Sequence, residues 1–352
     1  MAGTCIAVVS DMTYKIEMKR IIVHKTAIRQ IFSLTLLLGG LLLQGCRGGN
    51  GRYQTRDGMT WNTTYHIVWD GSPELSDSIM QTLEEIGASL NVFDKSSLVS
   101  KVNECKDTIT VDKHFVNVYR ISQRIHEESE GAFDPTLSPL ITAWGFGPGH
   151  RATSDTLHLD SLLSITGFRK THLKGMRLYK DDPRIVFNFS AIAKGYGCDA
   201  VGLMFQRNGV ENYLVEIGGE IACSGKNPRG EDWNVQVDRP IKSEGVVHEA
   251  QAVVAMSDKG MATSGNYRNF HQEGNRAYGH TISSKTGRPI QTEVLSATVI
   301  ASNAMEADAL ATACMALPAE KGLEMCRRMR CSVMLILPDT VIAGEEFLMS
   351  DK

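Results

Sequence analysis

The chain has 352 residues, of which 42% are hydrophobic and 22% are charged, so it can bury a large core as one big domain or as two lobes. A formal net charge of -3 and a pI near 6.4 give no electrostatic signature of nucleic-acid binding, and no dense Lys/Arg tract lies outside the N-terminal segment. We therefore expect no nucleic acid among its partners.

The N-terminal segment has the pattern of a targeting sequence. The basic pair Lys19-Arg20 precedes an apolar run over residues 31–43, which is too short to span a bilayer comfortably and has the length of a signal-peptide core. The run leads into Leu-Gln-Gly-Cys46, which resembles a bacterial lipobox, where the cysteine is lipidated and becomes the mature N-terminus. A secretory signal that happens to contain a cysteine is the alternative. Met18, directly before the basic pair, is a more natural start than the first residue.

These features divide the chain into three parts. Residues 1–46 are an extension plus a lipoprotein signal peptide, residues 47–52 are a Gly-rich flexible tether, and residues 53–352 are the folded body. We expect the body to face the periplasm, held by a lipid on Cys46 to a bacterial membrane, with the inner membrane as the expected one.

Strands and helices are mixed irregularly along the body. In chain order, we predict a strand at 63–69, helices at 74–91 and 111–130, a Pro- and Gly-rich loop at 133–150, a short helix at 160–166, strands at 171–178 and 185–189, a helix at 193–208, strands at 212–217 and 233–237, helices at 304–316 and 319–329, and a strand at 332–337. Because no regular βαβ order is present, we expect an α+β fold rather than a doubly wound sheet.

Two segments in the first half of the body have the composition of ligand-binding loops. Residues 131–147 are too rich in Gly, Pro and apolar side chains for a plain surface loop, and their aromatic side chains could stack on a planar ring. A loop folded over its own core is the alternative. Residues 188–197 pass from a strand end into a helix and place free N–H groups and Lys194 where a pyrophosphate could bind. Alone, this is a weak motif, because Lys-Gly pairs are common.

Two further segments combine tight turns with polar side chains. Residues 213–221 form a strand, a double-Gly bend and another strand, as expected where backbone approaches a ligand, although a simple bulge explains the pattern equally well. Residues 262–267 and 280–289 add hydroxyls and His280 near a turn. A single histidine is more often structural than catalytic.

The helix at 304–316 carries the clearest metal-binding pattern. Asp308 and Thr312 are four residues apart, so they present a carboxylate and a hydroxyl from one helix face. Oxygen ligands at this spacing suit Mg²⁺, which takes one or two protein oxygens and completes its shell with waters and substrate phosphates. A capped or salt-bridged helix is the structural alternative for an isolated D-x-x-x-T.

Taken together and in order, these segments resemble the ApbE family, the FAD:protein FMN transferases of bacterial envelopes. The resemblance extends from about Gly58 to the C-terminus. The matching blocks are G-A-F-D-P-T…P-L…W-G-F-G, I-A-K-G-Y, I-G-G, A-T-S-G-x-Y with H-x-I…T-G-R-P, and A-D-A-L-A-T-A. Each block is weak alone, whereas five in the same order are specific.

The resemblance implies a fold of mixed sheets and helices in two lobes, with FAD as substrate in the cleft between them. It implies transfer of the FMN moiety of FAD to a Thr or Ser hydroxyl of a target protein, with AMP released and Mg²⁺ required. Asp308 and Thr312 would bind the metal together with the backbone carbonyl of Ala191. The residues implied to contact FAD are Trp61, Phe93, Ala132, Phe133, Asp134, Asn188, Lys194 and Ile282.

Several roles follow from combining the resemblance with the residues. Lys194 would help Mg²⁺ neutralise the pyrophosphate, and His280 is the candidate base for the acceptor hydroxyl, with Asp134 as the alternative. The expected clients are flavin-accepting subunits of membrane redox complexes of the Nqr or Rnf type. Two rival functions remain open: a Mg²⁺-dependent FAD pyrophosphatase that yields FMN and AMP, and a non-catalytic flavin-binding lipoprotein.

The chain departs from the family pattern at three places. Residues 60–63 read T-W-N-T instead of the usual T-M-G-T, Asn188 replaces a frequent carboxylate, and Ser283 replaces the Asp that usually follows H-x-I. The two lost negative charges are expected to alter nucleotide or metal affinity. Because Asp308 and Thr312 are retained, we interpret the chain as a divergent active member.

Overall fold

The computed structural model describes residues 53–71, 74–146, 158–239, 250–265, 270–273, 276–279 and 281–347. The predicted signal peptide with Cys46, the tether 47–52 and His280 lie outside these residues. The described residues belong to one compact unit. Within them, no helix combines the length and apolar character needed to cross a bilayer.

The mixed α+β class expected from the sequence is confirmed. The α-helices of the described residues are α1 (Leu75–Leu90), α2 (Leu98–Glu104), α3 (Lys113–Glu128), α4 (Ser138–Ala143), α5 (Leu159–Ser164), α6 (Ala193–Arg207), α7 (Ala304–Met315) and α8 (Ala319–Arg328). The strands are β1 (Tyr53–Thr60), β2 (Thr63–Asp70), β3 (Ile109–Thr110), β4 (Thr171–Lys174), β5 (Arg177–Lys180), β6 (Tyr213–Ile217), β7 (Glu220–Ser224), β8 (Trp233–Asp238), β9 (Ala250–Met256), β10 (Lys259–Gly265), β11 (Phe270–Glu273), β12 (Arg276–Gly279), β13 (Ser296–Ala301), β14 (Ser332–Ile336) and β15 (Val341–Ala343). Short 3-10 helices cover Phe168–Lys170 and Glu345–Phe347.

An eight-stranded antiparallel sheet is the centre of the fold. Its strand order is β1-β2-β6-β7-β10-β13-β14-β15. Strand β13 is buried along its whole length because its two faces pack against different layers. Ala297 and Val299 face a cluster that includes α7, and Ile300 faces a cluster shared with the β8–β9 hairpin. This two-sided burial explains its continuous run of small and apolar side chains.

Helix α7 is an Ala-rich helix packed between α6 and the sheet. Most of its residues are buried, including Ala307, Leu310 and Ala311. Its N-terminus is capped twice: Asn303 Oδ1 accepts from the Glu306 N–H, and the carboxylate of Asp199 accepts from the Ala304 and Met305 N–H groups, each at 2.8 Å. Because these caps satisfy free N–H groups at the helix start, they fix the position of the helix that carries Asp308.

The close approach of α6 and α7 leads to a stability prediction at Gly195. A Cβ at this position would collide with the Ala304 carbonyl and lie 2.9 Å from the Met305 Cα. Although Ala is normally the better helix residue, we expect Gly195→Ala to lower the free energy of unfolding by about 1–3 kcal/mol, because the helices must move apart. Thermal denaturation measures this change. Gly344→Ala is the control, since its Cβ would make ordinary contacts from 3.4 Å; equal stability of both variants would contradict the packing argument.

Candidate active site

The side chain of Lys194 lies in a slot at the start of α6. Its Nζ is 3.3 Å from Glu220 Oε1 and donates to the Ser190 carbonyl at 3.4 Å. The aliphatic stem passes beside Gly218, where an added Cβ would lie 3.1 Å from the lysine Cδ. The side chain remains 29% exposed, so the ammonium is held on one side by protein and is still reachable from solvent.

Glu220 owes its position to the double-Gly turn between β6 and β7. Gly218 and Gly219 have φ angles of 64° and 99°, and they connect the paired residues Ile217 and Glu220. A two-residue hairpin with positive φ at both central positions requires glycine or a similarly permissive residue. The predicted strand, bend and strand are therefore confirmed as a hairpin, and its second strand begins with a carboxylate that is only 4% exposed.

Asp308 meets the start of α6 from the neighbouring helix α7. Its side chain is 5% exposed, and Oδ2 accepts from the Gly195 N–H at 3.1 Å. Thr312 lies one turn further along α7 and is partly buried. Ala191, also partly buried, precedes the α6 N-terminus. The structure thus brings the Lys194 segment together with the Asp308 helix, as the metal and phosphate predictions require.

The electrostatics of this cluster are dominated by two buried carboxylates and one ammonium. Burial raises the pKa of Glu220 to about 8 and raises the pKa of Asp308 above its ordinary value, in both cases against the opposing effect of Lys194. Burial lowers the pKa of Lys194, but the carboxylates of Asp308 and Glu220 outweigh burial, so the net shift is upward. The two carboxylates therefore favour the charged form of Lys194, and Lys194 in turn favours the ionised form of each carboxylate.

The donor set fits Mg²⁺ better than a transition metal. In the described part of the chain, no group of three or more His, Cys, Asp or Glu side chains is arranged for a metal. A carboxylate, a hydroxyl and a backbone carbonyl are hard oxygen ligands, and Mg²⁺ usually needs few of them because it keeps waters and substrate phosphates.

A cavity of about 160 Å³ opens beside Lys194. Its walls are mostly apolar and include Trp61 and Phe93 as well as Lys194 and Ser190. Phe93 is 61% exposed, which is unusual for a large aromatic side chain and leaves a free ring face at the cavity. Mostly apolar walls with a few polar groups are typical of small-molecule sites.

Trp61 reaches this cavity from the turn between β1 and β2. Trp61 and Asn62 have φ angles of 48° and 62° and connect the paired residues Thr60 and Thr63. The indole passes between helices α1 and α6, where its Nε1 lies over Gly87 and its six-membered ring lies over Gly197. The departure from T-M-G-T therefore places a rigid aromatic wall at the cavity.

The loop at 131–147 differs in part from its prediction. Phe133 is 2% exposed and lies in the core cluster, so its ring is not available for stacking on a ligand. Asp134 accepts from the Thr136 N–H and hydroxyl and from the Phe168 N–H, so it holds its own loop together and is poorly suited to act as a base. Trp144 donates to the Gly287 carbonyl at 2.7 Å. The alternative of a loop folded over its own core describes these side chains.

Three further predicted residues have structural contacts of their own. Asn188 Oδ1 accepts from the Ser190 N–H, and its backbone N–H donates to the Pro135 carbonyl, which ties this segment to the 131–147 loop. Ile282 is 2% exposed and packs with Leu137 and Leu140. Ala132 lines a second cavity, of about 170 Å³, together with Ser283 and Ser284. Contacts of these residues with FAD remain predictions.

Sequence reasoning missed one acid of the cluster, Glu220, and one acid that caps α7, Asp199. Glu220 was visible only as the residue after a double-Gly bend, and the Gly218-Gly219-Glu220 order was the signal that could have identified it. No sequence pattern pointed to Asp199. It caps α7 by accepting from the N–H groups of Ala304 and Met305, which lie more than a hundred positions later in the chain. Burial raises the pKa of Asp199 to about 7, against the opposing effect of the two N–H donors.

Comparisons with known sequences agree with this geometry. The chain matches the ApbE family over residues 58–336. It is 34% identical to the FAD:protein FMN transferase of Vibrio cholerae over 316 residues, which covers 86% of this chain and 93% of that protein. It is 32% identical to the FAD:protein FMN transferase of Haemophilus influenzae over 296 residues, which covers 80% of this chain and 85% of that protein.

Solved structures give the same result. The flavin transferase ApbE from Vibrio cholerae superposes with a TM-score of 0.74 at 34% identity, covering 84% of this chain and 98% of that one. The apo form of the Pseudomonas stutzeri flavinyl transferase ApbE superposes with a TM-score of 0.75 at 27% identity, covering 84% of this chain and 96% of that one.

Proposed function

Because the chain belongs to the ApbE family, we propose that it is an FAD:protein FMN transferase that moves the FMN moiety of FAD to a Thr or Ser hydroxyl of a target protein. The observation that carries this proposal is the continuity of two features: an apolar cavity with aromatic walls ends at Lys194, and Lys194 is adjacent to the buried carboxylate of Asp308. A flavin or adenine ring suits the first feature, and a pyrophosphate suits the second.

Mg²⁺ would be held by the Asp308 carboxylate, the Thr312 hydroxyl and the Ala191 carbonyl. When bound, it would supply Lewis-acid neutralisation of the pyrophosphate oxygens. The Gly195 N–H, which belongs to the neighbouring helix α6, donates to the Asp308 carboxylate and orients it. Because that donor is backbone, the carboxylate direction is set by the packing of α6 on α7.

Lys194 contributes a fixed positive charge at the phosphates. In the reaction, the acceptor oxygen forms a bond to the FMN phosphorus, the bond from that phosphorus to the bridging oxygen breaks, and AMP leaves with the bridging oxygen. Negative charge increases on the departing oxygen, and an ammonium already oriented by Glu220 and Ser190 can stabilise it without reorganisation. His280 is our proposed base for the proton of the acceptor hydroxyl, on the basis of histidine chemistry combined with the family resemblance.

The proposal is tested by co-expressing the full chain with a candidate client and measuring flavin fluorescence of the client after denaturing electrophoresis. We expect a fluorescent client band that requires the enzyme. AMP formation from FAD without a flavin on any client, measured with purified protein, would instead identify a pyrophosphatase. Retention of FAD without AMP formation would identify a flavin carrier.

We also propose that the chain is anchored by a lipid on Cys46 and acts on the periplasmic side of the membrane. The support is the N-terminal pattern of basic residues, apolar run and cysteine. We propose Nqr- or Rnf-type subunits as clients, which rests on the resemblance to the family. Membrane fractionation of the wild type and Cys46→Ser tests the anchor, and equal membrane retention of the two proteins would refute it.

A further inference from the structure

Glu220 is a buried acid that is neither one of the metal ligands nor one of the FAD contacts named above. Its side chain is 5% exposed, one oxygen is paired with Lys194, and the other oxygen, Oε2, has no hydrogen-bond partner in the described residues. A buried carboxylate oxygen that no protein group satisfies is unfavourable unless an ion or a water binds it.

The position of Glu220 is fixed by the backbone rather than by the side chain itself. It is the first residue after the Gly218-Gly219 turn and pairs with Ile217 across the hairpin. Its carbonyl accepts from the Cys198 thiol of α6 at 3.2 Å. The turn and this contact direct the carboxylate into the space between β7 and the start of α6, toward the same Lys194 that interacts with Asp308.

The charges of this cluster do not balance within the protein. Asp308 and Glu220 contribute two negative charges when ionised, and Lys194 is the one cation that acts on Glu220 among the described residues. With both carboxylates ionised, one unit of negative charge stays buried beside Lys194. A divalent cation would hold both acids ionised and convert this to a net charge of plus one, which complements a pyrophosphate.

We propose that Glu220 is a positioning residue for the transfer reaction: its carboxylate orients Lys194 and, through Oε2, supplies the second negative charge that retains the catalytic divalent cation. The inference rests on the proposed function and adds to it a residue beyond the Asp308, Thr312 and Ala191 ligands. A water bound to the cation is the natural partner for Oε2, because outer groups of this kind orient metal-bound ligands.

The test compares Mg²⁺ binding by the wild type and Glu220→Gln, measured by calorimetry on the full chain without FAD. Gln keeps the size of the side chain and an oxygen for Lys194, and it removes the charge and the second acceptor oxygen. We expect the Kd for Mg²⁺ to rise about 10- to 100-fold. We also expect excess Mg²⁺ to restore FMN transfer by this variant, which a purely structural defect would not allow.

Glu216→Gln is the matched control. Glu216 lies on the same hairpin, is paired opposite Ile221, and accepts from the Gly219 N–H at 2.6 Å, away from Lys194. We expect its Mg²⁺ affinity to equal that of the wild type. If Glu220→Gln binds Mg²⁺ as tightly as Glu216→Gln while the wild type transfers FMN, the inference about Glu220 is overturned and the proposed function stands. If the wild type transfers no FMN, the proposed function itself has failed.

A second pair of variants covers the case in which Glu220→Gln does not fold. Glu220→Asp and Glu220→Asn are both one methylene shorter and differ from each other only in charge, so the loss of packing is the same in both. We expect the Asp variant to bind Mg²⁺ more tightly than the Asn variant. Equal Mg²⁺ affinity of the two would overturn the inference.

Discussion

Replacing Asp308 by Asn is expected to reduce the rate of FMN transfer by about 10²- to 10³-fold, because a metal ion contributes several kcal/mol of charge stabilisation in the transition state. The amide side chain of the Asp308→Asn variant would keep the oxygen that accepts from the Gly195 N–H, so the packing of α6 on α7 should survive. The loss of transfer rate would therefore measure the contribution of the negative charge of Asp308. Flavin fluorescence of the client, measured over time with purified components, gives the rate.

Glu306→Gln is the control for this prediction. Glu306 lies on the same helix and pairs with the exposed Arg124, so its replacement removes one carboxylate from α7 without touching the cluster. We expect this variant to retain the wild-type rate. A transfer rate of Asp308→Asn equal to that of Glu306→Gln would contradict the assignment of Asp308 as a metal ligand.

Replacing Lys194 by Gln is expected to reduce the transfer rate by about 10²-fold, since one oriented charge is removed from the departing oxygen. The variant should also be less stable. Loss of the lysine ammonium leaves Glu220 and Asp308 without their cation, and breaking a buried ion pair costs about 3–5 kcal/mol of stability. Because the Lys194 side chain is 29% exposed, we expect a smaller loss, of about 1–3 kcal/mol.

Thermal denaturation and transfer kinetics measured on the same samples separate the two effects of Lys194→Gln. Lys259→Gln is the control, because Lys259 is an exposed lysine that pairs with Glu346 3.4 Å away. We expect Mg²⁺ to recover part of the lost stability of Lys194→Gln but not its transfer rate. A Lys194→Gln variant with the kinetics of Lys259→Gln would show that Lys194 does not act on the pyrophosphate.

Helices with long apolar periodicity could be predicted within two residues of their ends. The prediction for 74–91 corresponds to Leu75–Leu90, and that for 111–130 corresponds to Lys113–Glu128. Both have enough turns for the 3.6-residue period to be distinct. The strand predicted at 171–178 is instead a hairpin, Thr171–Lys174 and Arg177–Lys180, with Gly175 at φ 63° in the turn.

The strand predicted at 185–189 was wrong for a physical reason. Ile185, Phe187 and Phe189 are all buried, so the alternating pattern was correct, but no strand lies beside them in the described part of the chain. The backbone of Phe187 is instead satisfied by a side chain: its N–H donates to Asn103 Oδ1 at 2.7 Å, and its carbonyl accepts from Asn103 Nδ2 at 2.9 Å. An alternation of apolar and polar residues indicates which side chains are buried. Whether the segment becomes a strand depends on whether another strand lies beside it.

The site residues that could be predicted are those that lie within one helix turn of each other or within one sequence motif. Asp308 and Thr312 are on one helix, and Lys194 follows directly from its motif. Glu220 joins the cluster through a hairpin turn, and the inward direction of Phe133 depends on packing that no local pattern specifies. Tertiary contact between distant segments therefore decided which of the polar and aromatic side chains face the cavity.

The most direct test of the central claim is the stoichiometry of AMP and protein-bound flavin when the full chain, FAD and a Thr-containing client are incubated with Mg²⁺ or with EDTA. With Mg²⁺, we predict one AMP released for each FMN attached to the client by mass spectrometry, and neither product with EDTA. Transfer that continues in EDTA, or AMP that accumulates while the client mass stays unchanged, would contradict a cation-dependent transfer of FMN at the Lys194 and Asp308 cluster.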